Sequence, residues 1–244
     1  MKADVEICVE TFESVQAAVK GGADRVELCS ALELGGLTPS AALLEMIKRE
    51  YPNLSVFCLI RCRTGGFSYT GTELQLMKDE IQILEKAGAD GFVIGCLTDI
   101  NSSGSIVVSG EATENLTSAS KKPFTFHRAF DVSTGSFEKD IELIAKSGCD
   151  YVLTSGRASI TNNPAVAFEN ISQLSTICKK NNVKLMIGGG VNEANAADIL
   201  ALGVDFIHGS FSLKEFFEND IFHLGTVHKS DAALISRIAK LCSS

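Results

Sequence analysis

The sequence carries no excess of positive charge: its 22 lysines and arginines are outnumbered by 30 aspartates and glutamates, for a net charge of −8. Such a chain offers no basic field to a nucleic acid or an anionic membrane, and neither partner is expected. No apolar run approaches the ~20 residues that a spanning helix needs. Met1-Lys2-Ala3-Asp4 leads straight into a strand-like pattern, so no secretory signal is expected and a cytoplasmic location follows as the default. None of the eight cysteines forms a Cys-x-x-Cys pair. Nor are they concentrated in a short, loop-rich chain, as in secreted disulfide scaffolds. Six of them, Cys8, Cys29, Cys58, Cys62, Cys96 and Cys149, lie in or beside strand-like runs, where a reduced thiol serves as a small core residue. No Gly-x-Gly-x-x-Gly follows the first such run, which weakens a dinucleotide-binding reading.

What the chain does have is a repeat. Gly22-Ala23-Asp24, Gly88-Ala89-Asp90, Gly148-Cys149-Asp150 and Gly203-Val204-Asp205 each follow a helix-like segment and open an apolar run. Glycine just past a helix takes the left-handed cap, and the aspartate then starts a strand. The runs opened are Arg25 to Cys29, Gly91 to Gly95, Tyr151 to Thr154 and Phe206 to His208. Four more strands fall between them, at Val5 to Val9, Ser55 to Arg61, Pro123 to His127 and Val183 to Ile187. Helical periodicity fills the gaps, as from Thr72 to Ala87 and from Phe137 to Lys146. Eight strands alternating with eight helices predict an α/β fold, a single (β/α)8 TIM barrel over residues 1–244, close to the ~250 residues usual for that fold. An open doubly wound sheet is the architectural alternative. The longest stretches without an obvious element, Gly209 to Lys229 and Asp99 to Gly110, fall at the carboxyl ends of the strands, the end that carries chemistry in barrels.

Strand residues alternate between faces. With Val5, Ile7 and Val9 packing against helices, Glu6 and Cys8 look inward from the first strand; by the same parity Arg25, Glu27 and Cys29 do so from the second. Phe57, Leu59 and Arg61, then Thr125 and His127, and finally His208 join them. Barrel interiors are normally filled by branched apolar residues, so this set is unusually polar. Buried charges need partners, and the expected pairing is of Glu6 and Glu27 with Arg25 and Arg61. Three glycine-bearing strand ends follow, Thr154-Ser155-Gly156, Gly188-Gly189-Gly190 and His208-Gly209-Ser210. They allow a phosphate or another anion to approach backbone N–H groups, or are simply tight turns.

Seven stretches, taken together, resemble the CutC family of copper-homeostasis proteins. They are Glu6 to Val9, Gly21 to Ser30, Gly35 to Ser40, Ile60 to Arg63, Thr125 to Asp131, Val152 to Gly156 and Gly188 to Gly190, in order along the chain. The resemblance implies a (β/α)8 barrel, a cytosolic homo-oligomer and a role in copper handling, with two cysteines proposed as Cu(I) ligands; the motif places them at Cys8 and Cys29. Thiolates suit soft Cu(I), and the two share inward parity at similar height on neighbouring strands. Zinc is the poorer fit, since it wants four ligands. The family often has proline where this chain has Cys62, and the stretch from Gly110 to Lys122 and the tail beyond Ser210 match poorly.

A second reading is an enzyme acting on a small anionic carboxylate or phosphate. His127 or Glu27 would serve as acid or base, Asp131 would orient a neighbour, and Arg61 and Arg128, with Ser155, Gly156, Gly189, Gly190 and Ser210, would hold the anion. A Schiff-base aldolase is disfavoured, because no lysine sits at a strand's carboxyl end and Lys184 lies at the start of its strand. A third, weaker reading is a scaffold using the barrel surface for assembly. His223 and His228 have no partner motif and receive no role. Thiol titration of the denatured, unreduced protein is expected to find all eight cysteines free; a clear deficit would count against a reducing location.

Overall fold

The structure, a computed structural model, describes residues 2–99, 104–215 and 227–243. Eight parallel strands, β1 (Asp4–Val9), β2 (Arg25–Leu28), β3 (Ser55–Leu59), β4 (Gly91–Ile94), β5 (Phe124–Phe126), β6 (Tyr151–Thr154), β7 (Lys184–Ile187) and β8 (Phe206–Gly209), close into a barrel in sequence order, with β8 paired to β1. Eight helices alternate with them: α1 (Phe12–Gly21), α2 (Ala41–Glu50), α3 (Gly71–Lys86), α4 (Gly110–Thr117), α5 (Phe137–Lys146), α6 (Pro164–Lys180), α7 (Ala196–Ala201) and α8 (Ala232–Ser243). The barrel read from the alternating pattern is the one observed. Helix α3 starts at Gly71, one residue before the expected start, because Thr70 and Glu73 form a reciprocal capping box.

The fourfold repeat has a physical cause. Each repeat glycine has positive φ, from 77° at Gly203 to 106° at Gly88, and closes the helix before it. The aspartate two residues on accepts the N–H at the start of the preceding odd strand: Asp24 from Val5 at 2.9 Å, Asp90 from Val56 at 2.9 Å, Asp150 from Phe124 at 3.0 Å and Asp205 from Leu185 at 2.8 Å. Four such bonds satisfy backbone donors at the amino-terminal rim, where the ladder begins.

Both stretches expected to lack an element hold a short antiparallel ribbon. Leu97–Asp99 pairs with Ile106–Val108 after β4, and Ser212–Glu215 pairs with Val227–Ser230 after β8. Three- and four-residue strands are too short to show a period. His223 lies outside the described residues; His228 is placed only as backbone, opposite Lys214 in the second ribbon.

The main apolar core lies between the barrel and its helices, with Ile7, Leu28, Phe92 and Phe126 fully buried there. The barrel interior is different. Near its floor the Arg25 guanidinium is stacked by three rings, at 3.9 Å from the centroid of Phe57, 4.4 Å from Phe206 and 4.6 Å from Tyr151. Its Nε donates to Glu6, and its Nη2 lies 3.3 Å from Met186 Sδ. Glu6 has no exposed surface and Arg25 only 4%, so the charges must satisfy each other. The expected Glu6–Arg25 pair is thus formed.

Breaking this pair strands the remaining charge. Glu6→Gln and Arg25→Met are each expected to lower the unfolding free energy by about 3–5 kcal/mol, with the double variant losing clearly less than the sum. Urea denaturation of the four proteins measures this, and strictly additive losses would contradict the coupling.

Candidate functional site

At the carboxyl ends of the strands the interior opens into a cavity of about 210 Å³. β1 supplies Cys8, β2 supplies Glu27 and, just past its end, Cys29, and β8 supplies His208; Arg61 and His127 follow the ends of β3 and β5. Leu32, Leu59, Phe67 and Leu153 complete much of the wall. The inward parity expected for these residues is observed. Register corrects one detail. Cys8 pairs with Glu27, so Cys29 stands one inward layer further along β2 rather than level with Cys8. The stagger comes from barrel closure, which a single sequence does not display. The Cys29 sulfur nevertheless turns back, 3.6 Å from Glu27 Oε1 and 3.7 Å from the Glu27 carbonyl oxygen.

Four groups form a charge network behind the thiols. Glu6 holds Arg25 with Oε2 and His208 Nδ1 with Oε1, the latter at 2.8 Å. His208 also stands beside Cys8 in the cavity wall, and its Nδ1 lies 3.7 Å from Glu27 Oε2. Burial opposes the His208 charge, but Cys8, the bond to Glu6 and the Glu27 carboxylate outweigh it and hold the imidazolium well above its ordinary range. Burial would likewise raise Glu6, yet Arg25 and His208 keep it ionised and below the usual value. Glu27 fares otherwise. Burial raises it, His208 only partly opposes this, and the Glu6 charge adds to it, so its carboxyl is pushed up to about 7. Burial and the neighbouring Glu27 and Cys8 push the Cys29 thiol well up. Glu27 can therefore exchange a proton near neutrality, as an acid or base requires.

Arg61 does not pair with Glu27 as expected. Its Nη1 donates to the carbonyls of Leu34, Gly35 and Gly36, at 3.3, 3.3 and 3.0 Å, and its Nη2 to Gly65 at 3.0 Å. The loop after β2 can wrap the guanidinium because Gly35 and Gly36 both take positive φ, 85° and 84°. His127 caps the 3-10 turn Arg128–Val132, its Nδ1 accepting the Ala129 N–H at 3.0 Å. That bond places the ring proton on Nε2. Burial, helped by Arg61, lowers the His127 pKa to about 3. The ring is therefore neutral, with its Nε2–H as the donor.

The remaining expected residues fall at the rim. Arg128 is half-exposed, donates to Asp131 at 2.9 Å and to Ser155 Oγ at 3.3 Å, and touches both this cavity and a neighbouring one of about 460 Å³. Gly189, Gly190 and Ser210 line that second cavity, which shares Cys8 and His208 with the first. Asp131 is saturated by the hydroxyls of Thr154 and Ser155, the N–H groups of Ser155 and Arg157, and Arg128. It braces the end of β6 and lines neither cavity. Gly156 is a tight turn under α6, where a Cβ would meet the Ala167 carbonyl at 2.8 Å.

Inward parity identified Glu6 and His208, but not that they share a site. Register and closure bring Glu6, Glu27 and His208 together, with one ligand-type atom each within 4.8 Å of the others. Both Glu6 oxygens are already engaged, and His208 is held as a cation, so this trio is better suited to balancing charge than to binding a metal. The soft side chains of the cavity are the thiols of Cys8 and Cys29.

The family model described as the CutC family matches residues 3–213. A copper homeostasis protein cutC homolog of Caenorhabditis elegans is 37% identical over 196 residues, covering 80% of this chain and 75% of that protein. A family protein CutC of Vibrio cholerae serotype O1 is 39% identical over 210 residues, covering 85% of this chain and 79% of its own. A crystal structure bearing the CutC name, from Streptococcus agalactiae, superposes with a TM-score of 0.75 at 30% identity, over 86% of this chain and 99% of that one. A 3-hexulose-6-phosphate synthase of Salmonella typhimurium gives 0.61 at 16% identity over 99% of this chain and 98% of its own, a likeness of fold alone.

Glu27 generates a pH prediction. Its folded value of about 7 lies above its ordinary 4.5, so the native state holds the proton more tightly. The stability this contributes is complete below the ordinary value and is lost as pH rises through the folded one. In the metal-free protein the labelled Glu27 carboxyl is expected to titrate near 7 by NMR, and Glu27→Gln should flatten the fall in stability across that window. A midpoint near 4.5 would contradict the description.

Proposed function

The chain belongs to the CutC family, and from that premise we propose that it handles Cu(I) in the strand-end cavity, with Cys8 and Cys29 as the ligands. The observation that carries this is the placement of both sulfurs in the wall of one cavity, on adjacent strands, with Cys8 level with Glu27 and Cys29 one inward layer beyond it. They are near enough that Cys8 raises the Cys29 pKa. Thiolates are the ligands soft Cu(I) prefers. A relative that shares over a third of its aligned residues with this chain carries the copper homeostasis name.

The cavity supports the reading in two further ways. Its net charge is moderated, because Glu6 is matched by Arg25 and Glu27 faces the His208 imidazolium. Copper is therefore cargo in a preformed polar pocket, and no catalysis is required of it. A further inward-facing sulfur, that of Met186, is turned toward Arg25. The reading includes a reducing, cytosolic setting, which the eight free cysteines favour, and the family resemblance adds a homo-oligomer. No helix among the described residues is long and apolar enough to cross a membrane.

Cys8→Ser and Cys29→Ser replace a soft sulfur by a hard hydroxyl at nearly constant volume. Each is expected to weaken Cu(I) binding by about 100-fold, or roughly 2.7 kcal/mol, in competition with a chromophoric Cu(I) chelator. Folded variants that bind Cu(I) as tightly as the parent would show the assigned ligands to be wrong.

A further inference from the structure

The same cavity holds two donors that copper handling does not use. Arg61 and His127 are each only 7% exposed. Arg61 Nε and His127 Nε2 have no hydrogen-bond partner. Both side chains pack on the same ring: the Arg61 guanidinium lies 5.2 Å, and the His127 ring 5.0 Å, from the Phe67 centroid. Buried donors are normally satisfied, and here the barrel is built to keep these two in place. Four loop carbonyls grip the Arg61 Nη groups and leave Nε over. The Ala129 N–H fixes the His127 tautomer with its proton on Nε2. Gly95 clears the space for that ring, since a Cβ there would lie 2.3 Å from it.

Charge identifies the missing partner. Glu6 matches Arg25, and Glu27 faces His208. Among the described residues no carboxylate comes within ion-pair distance of Arg61, which leaves one positive charge in the pocket wall unanswered. Two neighbouring N–H donors, one cationic and one neutral, suit the two oxygens of a carboxylate. A phosphate dianion would bring a second charge into a pocket whose other cations, Arg25, His208 and Arg128, already face Glu6, Glu27 and Asp131. Leu59, Phe67 and Leu153 line the same cavity and offer an apolar surface to the rest of the ligand.

We propose that the cavity binds a small organic monocarboxylate, its carboxylate held by Arg61 Nε–H and His127 Nε2–H and its carbon skeleton against Phe67 and the leucines. This site is independent of the thiols, and it deepens the chemistry of the pocket beyond copper.

The test is calorimetric titration of copper-free full-length protein with acetate and pyruvate, against pyruvamide and inorganic phosphate. His127→Asn is the main variant, because its side-chain oxygen can still accept the Ala129 N–H and cap the turn while the Nε2 donor is lost. Arg61→Lys is the second; it keeps the charge but not the fork. The parent is expected to bind at least one of the two carboxylates saturably. That binding should weaken about tenfold or more in each folded variant, and pyruvamide and phosphate should bind at least as much more weakly than the carboxylate. The proposal is overturned if neither carboxylate binds saturably. It is equally overturned if His127→Asn binds as the parent does, or if phosphate or pyruvamide binds as well as the carboxylate. Because copper is absent, none of these outcomes depends on the Cu(I) assignment.

Discussion

The ion pair between Glu6 and Arg25 is the constraint from which the site is built. A charged pair inside a barrel is costly unless both partners are fully satisfied. Here the arginine is faced by three aromatic rings and the carboxylate spends its second oxygen on His208. That second bond carries the influence of the floor upward. It fixes the imidazole, keeps it cationic and sets it against Cys8 and Glu27. A polar column thus runs from floor to mouth among inward apolar residues such as Phe57, Leu59, Val93 and Leu153, where apolar layers alone usually fill such barrels. The resulting pocket has defined walls before any ligand enters.

Those walls divide by chemistry. The soft groups are the Cys8 and Cys29 sulfurs; the hard ones are the Arg61 cation and the neutral His127 donor. Glu27 stands beside the thiols, hydrogen-bonded by Cys29 and ionising near neutrality. The neutrality of His127 matters to this division. A ring locked by the Ala129 N–H with its proton on Nε2 would have to give up its cap to bind a metal through that nitrogen. His127 is therefore the poorer metal ligand, and the proposed copper site falls to the sulfurs.

Much of this was legible in the chain. The Gly-x-Asp repeat marked half the strands because each aspartate has a backbone donor to satisfy on the strand before it. Two-residue alternation correctly placed Glu6, Cys8, Glu27 and His127 inside. What alternation does not contain is stagger. It gives no height, so Cys29 was placed level with Cys8 when register sets it a layer beyond. It gives no lateral reach either, so Arg61 was matched to Glu27 when the glycine loop after β2 supplies carbonyls instead. The charges of Asp131 and Arg128 looked available at a strand end, yet they bind each other and brace β6. The ribbons after β4 and β8 were invisible because strands so short have no readable period.

The central claim is that copper is held by sulfur from β1 and β2. X-ray absorption at the copper edge of the reduced, Cu(I)-loaded protein tests it most directly, because the scattering shell reports ligand elements without reference to affinity. A shell with two sulfur scatterers is expected, falling to one when Cys29 is replaced by serine. A shell of nitrogen and oxygen alone, or a sulfur count that Cys29→Ser leaves unchanged, would contradict it.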